Sequence, residues 1–355
     1  MERCIHLARL GVGSVSPNPL VGAVLVKDGV KIGEGYHERF GENHAEINAI
    51  HNALKGKRSL AGSTLYVNLE PCSHYGKTPP CAEAIIRHGI TRVVVGCKDP
   101  NPIVAGRGIA LLRKNKITVK TGVLSKEVIR LNEFFIKYIL TGIPFITLKA
   151  AQTADGYIAR INGSSKWITN QLSRRYVHQL RNEYDAVLVG AGTVIQDNPE
   201  LTVRAVPGRN PVRIILDGRC SVPLNRKIFD DQAKTIIYTT AHAAARESAK
   251  ILALQKRGII VVPVRSKSDR LDIRAIVSDL GKRGISSLLI EGGPGIYSAF
   301  LDARTADALF LFTAQKKFSS GIKTFGKISV SFRKKLVSER YFRSDRLQNF
   351  RITFP

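Results

Sequence analysis

Short apolar runs alternate along this chain with polar, glycine-containing segments and with stretches of helical periodicity. The segment VGAVLVKDGVKIGEGYH (21–37) carries two apolar runs around Asp28-Gly29, a dipeptide that favours a two-residue hairpin turn. Asn43 stands where an N-cap would, ahead of a helix expected over 44–54. A strand at 64–68 (TLYVN), a cysteine-containing loop, a helix from 81 to 88 closed by Gly89 and a buried-type strand at 92–96 (RVVVG) follow. Beyond the loop DPNPIVAGRG (99–108), the pattern predicts a helix near 109–114, a strand near 117–121 and a long helix over 126–140. Alternating strands and helices imply an α/β sheet covered on both faces.

Thr141-Gly142-Ile143-Pro144 stops the long helix, since glycine and proline both end helices. A fresh series begins with PFITLKAA (144–151), and strands are expected at 185–190, 212–217, 235–239, 259–264, 287–291 and 308–313. Helical stretches lie between them, at 171–182 and 272–283 among others. Two domains are therefore expected, 1–143 and 144–355, the second doubly wound. The strand content of the basic, aromatic tail from about residue 328 is left open by its pattern.

Composition changes this picture little. At 44% hydrophobic and 23% charged the chain is ordinary for a globular protein. Neither a membrane span nor a signal-peptide core is evident, so a cytoplasmic location is the expectation, with no membrane partner. Five cysteines are too few and too scattered for a disulfide framework. The net charge of +27 is spread out: 20 basic against 11 acidic residues up to residue 143, and 35 against 17 beyond it. That is weak evidence for anionic ligands, and no nucleic-acid partner is expected.

Chemistry enters with HAE (44–46) and EPCSHYGKTPPC (70–81). His44, Cys72 and Cys81 are a zinc-ligand set with an open fourth position, and Glu46 is placed to move protons, as in zinc-dependent base deaminases. Zinc lowers the pKa of bound water to about 7, which makes a nucleophile available at neutral pH. The usual spacing is P-C-x-x-C, however, and here eight residues separate the cysteines. Plainer roles stay open: a Cys72–Cys81 disulfide, and for Glu46 a carboxylate favoured by a helix N-terminus. His74 fits a ligand-facing loop position better than a metal position. In the second half, LLIEGGPGIYSAF (288–300) leads a buried strand through glycines into a helix start, a place for phosphate or a tight structural turn.

On SPNPLVGAVLV (16–26), HAE, EPCSHYGKTPPC and KDPNPIVAGRGI (98–109), the sequence resembles the bifunctional riboflavin-biosynthesis deaminase–reductases, in which the long cysteine spacing is normal. LKAAQTADGYIA (148–159), SSKWITN (164–170), VGAGTVIQDNPELTVR (189–204) and EGGPGIYSAF (291–300) extend the resemblance through the reductase half. It implies a cytidine-deaminase-like zinc domain followed by a dihydrofolate-reductase-like domain. The implied activities are deamination of a phosphorylated ribosylamino-pyrimidinone, then reduction of its ribosyl group with NADPH. It also implies a homo-oligomer. By position, His44, Cys72 and Cys81 would bind Zn²⁺ and Glu46 would carry protons, while Asn18, His74, Lys77, Asp99 and Asn101 line the pyrimidine and phosphate site. In the reductase, Ser165, Arg181, Leu201, Arg204 and Glu291 would contact substrate. Ala151, Trp167, Thr193, Asp197, Gly293, Pro294, Gly295, Ile296, Tyr297, Ser298 and Ala299 would contact NADPH. Residue chemistry agrees for Lys77 as a point charge and for Arg181 and Arg204 as a bidentate phosphate grip. Asp99 and Asn101 are equally open to turn chemistry, and Trp167 to packing. The segment 303–321 is less typical of the family. The alternatives are a nucleic-acid or nucleoside zinc deaminase with a non-catalytic C-terminal domain, and a basic binding protein with a structural zinc; aromatic content of 7% offers little base stacking for the former.

Overall fold

The computed structural model describes residues 1–75, 79–102, 104–267 and 270–355, so Lys77 lies outside the described residues. The chain divides into two compact units, Met1–Gly142 and Ile143–Pro355. No helix among the described residues is long and apolar enough to cross a membrane.

The first unit opens with α1 (Glu2–Ala8) and the hairpin β1 (Gly22–Lys27) and β2 (Val30–Tyr36). Asp28 and Gly29 both take positive φ, 50° and 75°, as the mirror-image turn requires. Next come α2 (Ala45–Lys55), β3 (Thr64–Leu69), α3 (Cys81–Arg87), β4 (Arg92–Cys97), α4 (Arg107–Lys114) and β5 (Thr118–Lys120). The strand order is β2-β1-β3-β4-β5, antiparallel across β2, β1 and β3, and parallel across β3, β4 and β5. Helix α2 lies hard against β2. A Cβ on Gly33 would sit 2.5 Å from the Ala49 carbonyl oxygen, and one on Gly35 would sit 2.5 Å from the Ala49 nitrogen. IGEGY therefore alternates glycines because a helix backbone occupies the space of their side chains.

Two expectations are corrected here. Asn43 does not cap α2; the N-cap is His44, and the Asn43 carbonyl instead accepts from His37 Nδ1 at 3.0 Å. The long helix over 126–140 is two helices, α5 (Ser125–Leu131) and α6 (Glu133–Thr141), broken at Asn132. The break has a cause. Asn132 is buried, and its side chain takes on Leu20 as a strand neighbour would: Oδ1 accepts from the Leu20 N–H at 2.7 Å, and Nδ2 donates to the Leu20 carbonyl at 3.1 Å. Buried Asn68 adds a 2.9 Å bond to the same carbonyl and accepts from Gly22 N–H at 2.8 Å. Two side-chain amides thus fix the segment that carries Asn18.

The second unit contains β6 (Phe145–Gln152), β7 (Tyr157–Ala159), α7 (Gln171–Glu183), β8 (Ala186–Gly190), α8 (Ala191–Asp197), β9 (Val212–Leu216) and β10 (Thr235–Thr240). These are followed by α9 (Ala241–Arg246), α10 (Ser248–Lys256), β11 (Ile260–Val264), β12 (Ser266–Lys267), β13 (Arg270–Leu271), α11 (Ile273–Lys282), β14 (Ser287–Ile290) and α12 (Pro294–Asp302). The last elements are β15 (Ala308–Thr313), β16 (Ile322–Lys323), β17 (Arg333–Phe342) and β18 (Asp345–Thr353). A nine-stranded sheet runs β11-β10-β9-β8-β14-β6-β15-β18-β17. Its strands are parallel from β11 to β15, and every residue of β8, β10 and β14 is buried, as strands covered on both faces demand. The tail resolves the open question about its strands. It is an antiparallel hairpin added beside β15, with Asp345, Leu347, Phe350 and Ile352 turned inward.

Asn132→Ala leaves the Leu20 N–H without its acceptor, so it should cost about 2 kcal/mol in urea unfolding. Asn132→Asp keeps the acceptor and should cost less; equal losses would remove the amide tether from this account.

Candidate active sites

In the first unit, the end of one strand and the starts of two helices bring three soft donors together. Cys72 follows β3, His44 is the N-cap of α2, and Cys81 is the first residue of α3. His44 Nδ1 lies 3.6 Å from Cys72 Sγ and 3.4 Å from Cys81 Sγ, and the three donor atoms are within 4.8 Å of one another. Tetrahedral zinc with ordinary Zn–N and Zn–S bonds would hold such atoms about 3.6 Å apart. The donor set therefore fits zinc, and among the described residues no fourth protein ligand joins it. All five cysteines are free thiols, so the disulfide alternative is not what the fold builds.

The cluster shapes its own protonation. A hydrogen bond from the Cys81 thiol, helped by His44, lowers Cys72 to about 4, while the same bond and burial push Cys81 up. The Cys81 N–H also donates to Cys72 Sγ at 3.3 Å. Glu46, the second residue of α2, is buried, and burial raises its carboxyl to about 7.

A cavity of about 320 Å³ opens onto this cluster. His44, Glu46 and Cys72 line it, together with the expected Asn18, His74, Asp99 and Asn101. His74 is exposed and stands outside the metal set. Asp99 Oδ1 accepts from the Asn101 N–H at 2.8 Å, so the turn chemistry left open for this pair is real, although both also face the cavity. Burial raises the Asp99 carboxyl above its ordinary value.

Sequence reasoning missed several residues here. His37 is buried on the cavity wall; its Nδ1 must donate to the Asn43 carbonyl, and its Nε2 meets Asn18 Nδ2 at 3.1 Å. Phe135 and Ile139 of α6 supply an apolar wall. Glu70 belongs to the EPC motif but was read only as its first letter. It is buried, and its carboxylate gathers the N–H groups of Asp99 (3.2 Å), Gly106 (2.9 Å) and Ile109 (3.1 Å), tying the cavity residue Asp99 to the start of α4. Its signal was a lone acid between a buried strand and a proline.

In the second unit, Glu291 follows β14 and meets Arg181 of α7 through two bonds, 2.6 and 3.1 Å, with Lys149 Nζ at 3.8 Å. Burial alone would raise Glu291; the charges of Arg181 and Lys149 overcome it and hold the carboxyl at about 2. Lys149, missed from sequence, is lowered chiefly by burial and next, among the lowering causes, by Arg181. Arg181 also donates to the Thr202 carbonyl at 3.2 Å, so its fork is engaged by the protein itself. Arg204 is half exposed and bonds Thr202 Oγ1 and Glu200. Leu201 is buried with φ of 54°.

Thr193 and Asp197 sit half-buried on α8, Ser165 half-buried ahead of α7, and Ala151 on β6. Trp167 is exposed, with the Arg174 guanidinium 4.4 Å from its ring centre, so the packing alternative does not describe it. Gly293 is the N-cap of α12, and Pro294, Gly295, Ile296, Tyr297, Ser298 and Ala299 form its first turns. A Cβ on Gly293 or Gly295 would meet nothing within 4 Å, which leaves open backbone at a helix start. Ser298 Oγ is buried without a partner among the described residues. Tyr297 differs: its ring is in the core and its hydroxyl donates to the Lys149 carbonyl at 2.6 Å.

These two sites define the class of protein: a zinc-binding deaminase unit joined to a reductase-type α/β unit. Residues 1–97 match the cytidine and deoxycytidylate deaminase zinc-binding region, and 144–325 match the RibD C-terminal domain. Riboflavin biosynthesis protein RibD of Aquifex aeolicus is 45% identical over 324 residues, covering 91% of this chain and 88% of that protein. The RibD protein of Escherichia coli K12 is 38% identical over 333 residues, covering 90% and 88%. A crystal structure of the diaminohydroxyphosphoribosylaminopyrimidine deaminase/5-amino-6-(5-phosphoribosylamino)uracil reductase of Thermotoga maritima superposes with a TM-score of 0.87 at 44% identity, covering 99% of this chain and 97% of that one. The chain belongs to the RibD family of riboflavin biosynthesis proteins.

The Glu291 pair predicts a pH dependence. Its folded pKa of about 2 lies below the ordinary 4.5, so the stabilisation is complete above pH 4.5 and lost as pH falls toward 2. It is on the order of 3 kcal/mol. Urea unfolding between pH 7 and 3 should show Glu291→Gln losing less stability on acidification than the parent; parallel losses would contradict the assignment.

Proposed function

We propose that this chain is a bifunctional riboflavin-biosynthesis enzyme. It first deaminates 2,5-diamino-6-ribosylamino-pyrimidin-4-one 5′-phosphate, then reduces the ribosyl group of the product to ribityl with NADPH. The first activity is assigned to Met1–Gly142 and the second to Ile143–Pro355. The observation that carries this reading is the meeting of His44, Cys72 and Cys81 at zinc-like separations beside buried Glu46 in one cavity.

Zinc held by His44, Cys72 and Cys81 would supply Lewis acidity toward water. The remaining work belongs to side chains. Glu46, buried beside the metal set, takes a proton from water and delivers it to a ring nitrogen, then takes a second from the hydroxyl group so added and delivers it to the departing ammonia. Asn18, Asp99 and Asn101 offer the amide and carboxylate groups that a diaminopyrimidine edge pairs with, and His74 and Lys77 serve the ribosyl phosphate end. Leu69, Phe135 and Ile139 keep the cavity apolar around the ring.

In the reductase, hydride transfer is the cofactor's chemistry and the protein positions the partners. Glu291 touches substrate while Arg181 holds it in place. Arg204, the half-exposed arginine of the two, takes the phosphate. Ser165 and Leu201 complete the substrate side. The α12 turn from Gly293 to Ala299 cradles NADPH, with Ala151, Trp167, Thr193 and Asp197 around it.

Zinc-loaded protein should release ammonia from the phosphorylated pyrimidine and none from cytidine- or adenosine-containing RNA; ammonia from RNA alone would overturn the deaminase reading. Glu46→Gln should abolish release while zinc content per chain stays unchanged. If turnover survives, Glu46 is not the proton carrier.

Arg204→Ala should raise the KM for the deaminated phosphate compound about a hundredfold and leave the KM for NADPH nearly unchanged. Equal rises in both would place Arg204 outside the phosphate site.

A further inference from the structure

Trp167 is 62% exposed, so no core packing holds its ring where the proposed reductase needs it. What holds it leads, contact by contact, to the turn of the C-terminal hairpin. Asn170, three residues on, is the junction. Its backbone N–H donates to Asp345 Oδ2 at 2.7 Å, and its Nδ2 donates to the Phe342 carbonyl at 2.6 Å. Its Oδ1 meanwhile accepts from Leu172 and Ser173 N–H at 2.9 and 3.1 Å, which caps α7. The Ser173 hydroxyl donates to the same Asp345 oxygen at 2.7 Å. Asp345 is 2% exposed and Ser173 is fully buried, so water competes poorly for these bonds.

Apolar contacts close the same joint. Phe342 and Leu347 of the hairpin cluster with Val177 of α7 and Phe312 of β15. The Tyr176 ring lies 5.1 Å from Phe342, and the Arg340 guanidinium covers both. From the anchored first turn of α7, Arg174 reaches back: Nη1 donates to the Thr169 carbonyl and the guanidinium lies over Trp167. Both ends of the short segment Thr169–Asn170 are thereby fixed, and Trp167 has a stacking partner set by the same helix turn.

We infer that the C-terminal hairpin turn, acting through Asp345 and the Phe342 carbonyl on Asn170, positions the Trp167 segment for the nicotinamide dinucleotide. The hairpin, which lies beyond the stretch 144–325 matched to the RibD C-terminal domain, is then a working part of the reductase site. Asp345 and Asn170 are positioning residues that touch neither substrate nor cofactor. This inference rests on the reductase reading above.

Trp167 is the only tryptophan in the chain, so its fluorescence reports the segment directly. NADPH alone is titrated against the full-length zinc-loaded parent, Asp345→Asn and Asn170→Ser, following quenching of Trp167. NADPH oxidation with the deaminated compound and ammonia release are measured on the same preparations. Asn170→Ser keeps a hydroxyl cap for α7 and the backbone bond to Asp345, but loses the tie to Phe342. Both variants should bind NADPH about tenfold more weakly, with a matching rise in KM for NADPH and a smaller change in kcat. Ammonia release should be unchanged. Should Asp345→Asn lose both activities, Asn170→Ser decides by the same titration. NADPH affinity within about twofold of the parent in the folded variants overturns the inference alone. A parent chain that neither binds nor oxidises NADPH overturns the reductase reading, and this inference with it.

Discussion

Everything in the first unit answers to one geometric demand: a nitrogen and two sulfurs, far apart in sequence, must converge to within 4.8 Å. Each donor is carried by a separate element end, where the backbone direction is fixed by packing further along. Cys72 leaves β3, whose partners on both sides are hydrogen-bonded strands. His44 enters α2, which lies so close on β2 that only glycine fits at positions 33 and 35. Cys81 enters α3 as a fully buried residue. A shift of any of these elements by an ångström would open the set, which explains why the contacts behind it are backbone-close and apolar.

The walls of the cavity are held differently, by buried polar side chains that replace sheet hydrogen bonds where no strand is available. Asn68 and Asn132 serve the Leu20 segment, and Glu70 serves the 99–109 loop. Such groups are costly when unpaired, so each stabilises only the one loop conformation that satisfies it. The second unit repeats the device: Asp345 and Asn170 hold the stretch before α7, and Arg181 fixes Glu291 while it binds the Thr202 carbonyl. In both units the sheet sets the frame and a few buried polar residues set the site.

That division explains what could be read from sequence. The parallel strands were legible because strands covered on both faces are continuous apolar runs. The hairpin turn at Asp28-Gly29 was legible because its backbone admits few residue types. Two helix boundaries were not: Asn43 has cap chemistry, yet the cap fell to His44, and the break at Asn132 depends on Leu20, more than a hundred residues away. Long-range polar tethers leave no local pattern. Glu70, Asn132 and Asp345 look in sequence like ordinary surface residues, and His37 like any loop histidine. The tail hairpin was obscured for a related reason, since β17 is exposed along nearly its whole length and shows no alternation.

The eight residues between Cys72 and Cys81 follow from the same logic. Here each thiol is placed by its own element, with the Cys81 N–H bonding Cys72 Sγ directly and the Ala82 N–H bonding the Cys72 carbonyl at 3.1 Å. The metal set therefore imposes no length on the residues between them. That stretch is released for another task, and its first described side chain beyond Cys72 to reach the cavity is His74. Spacing that argues against a deaminase, when counted along the chain, is neutral once measured in space. What identifies the zinc set is the separation of its atoms.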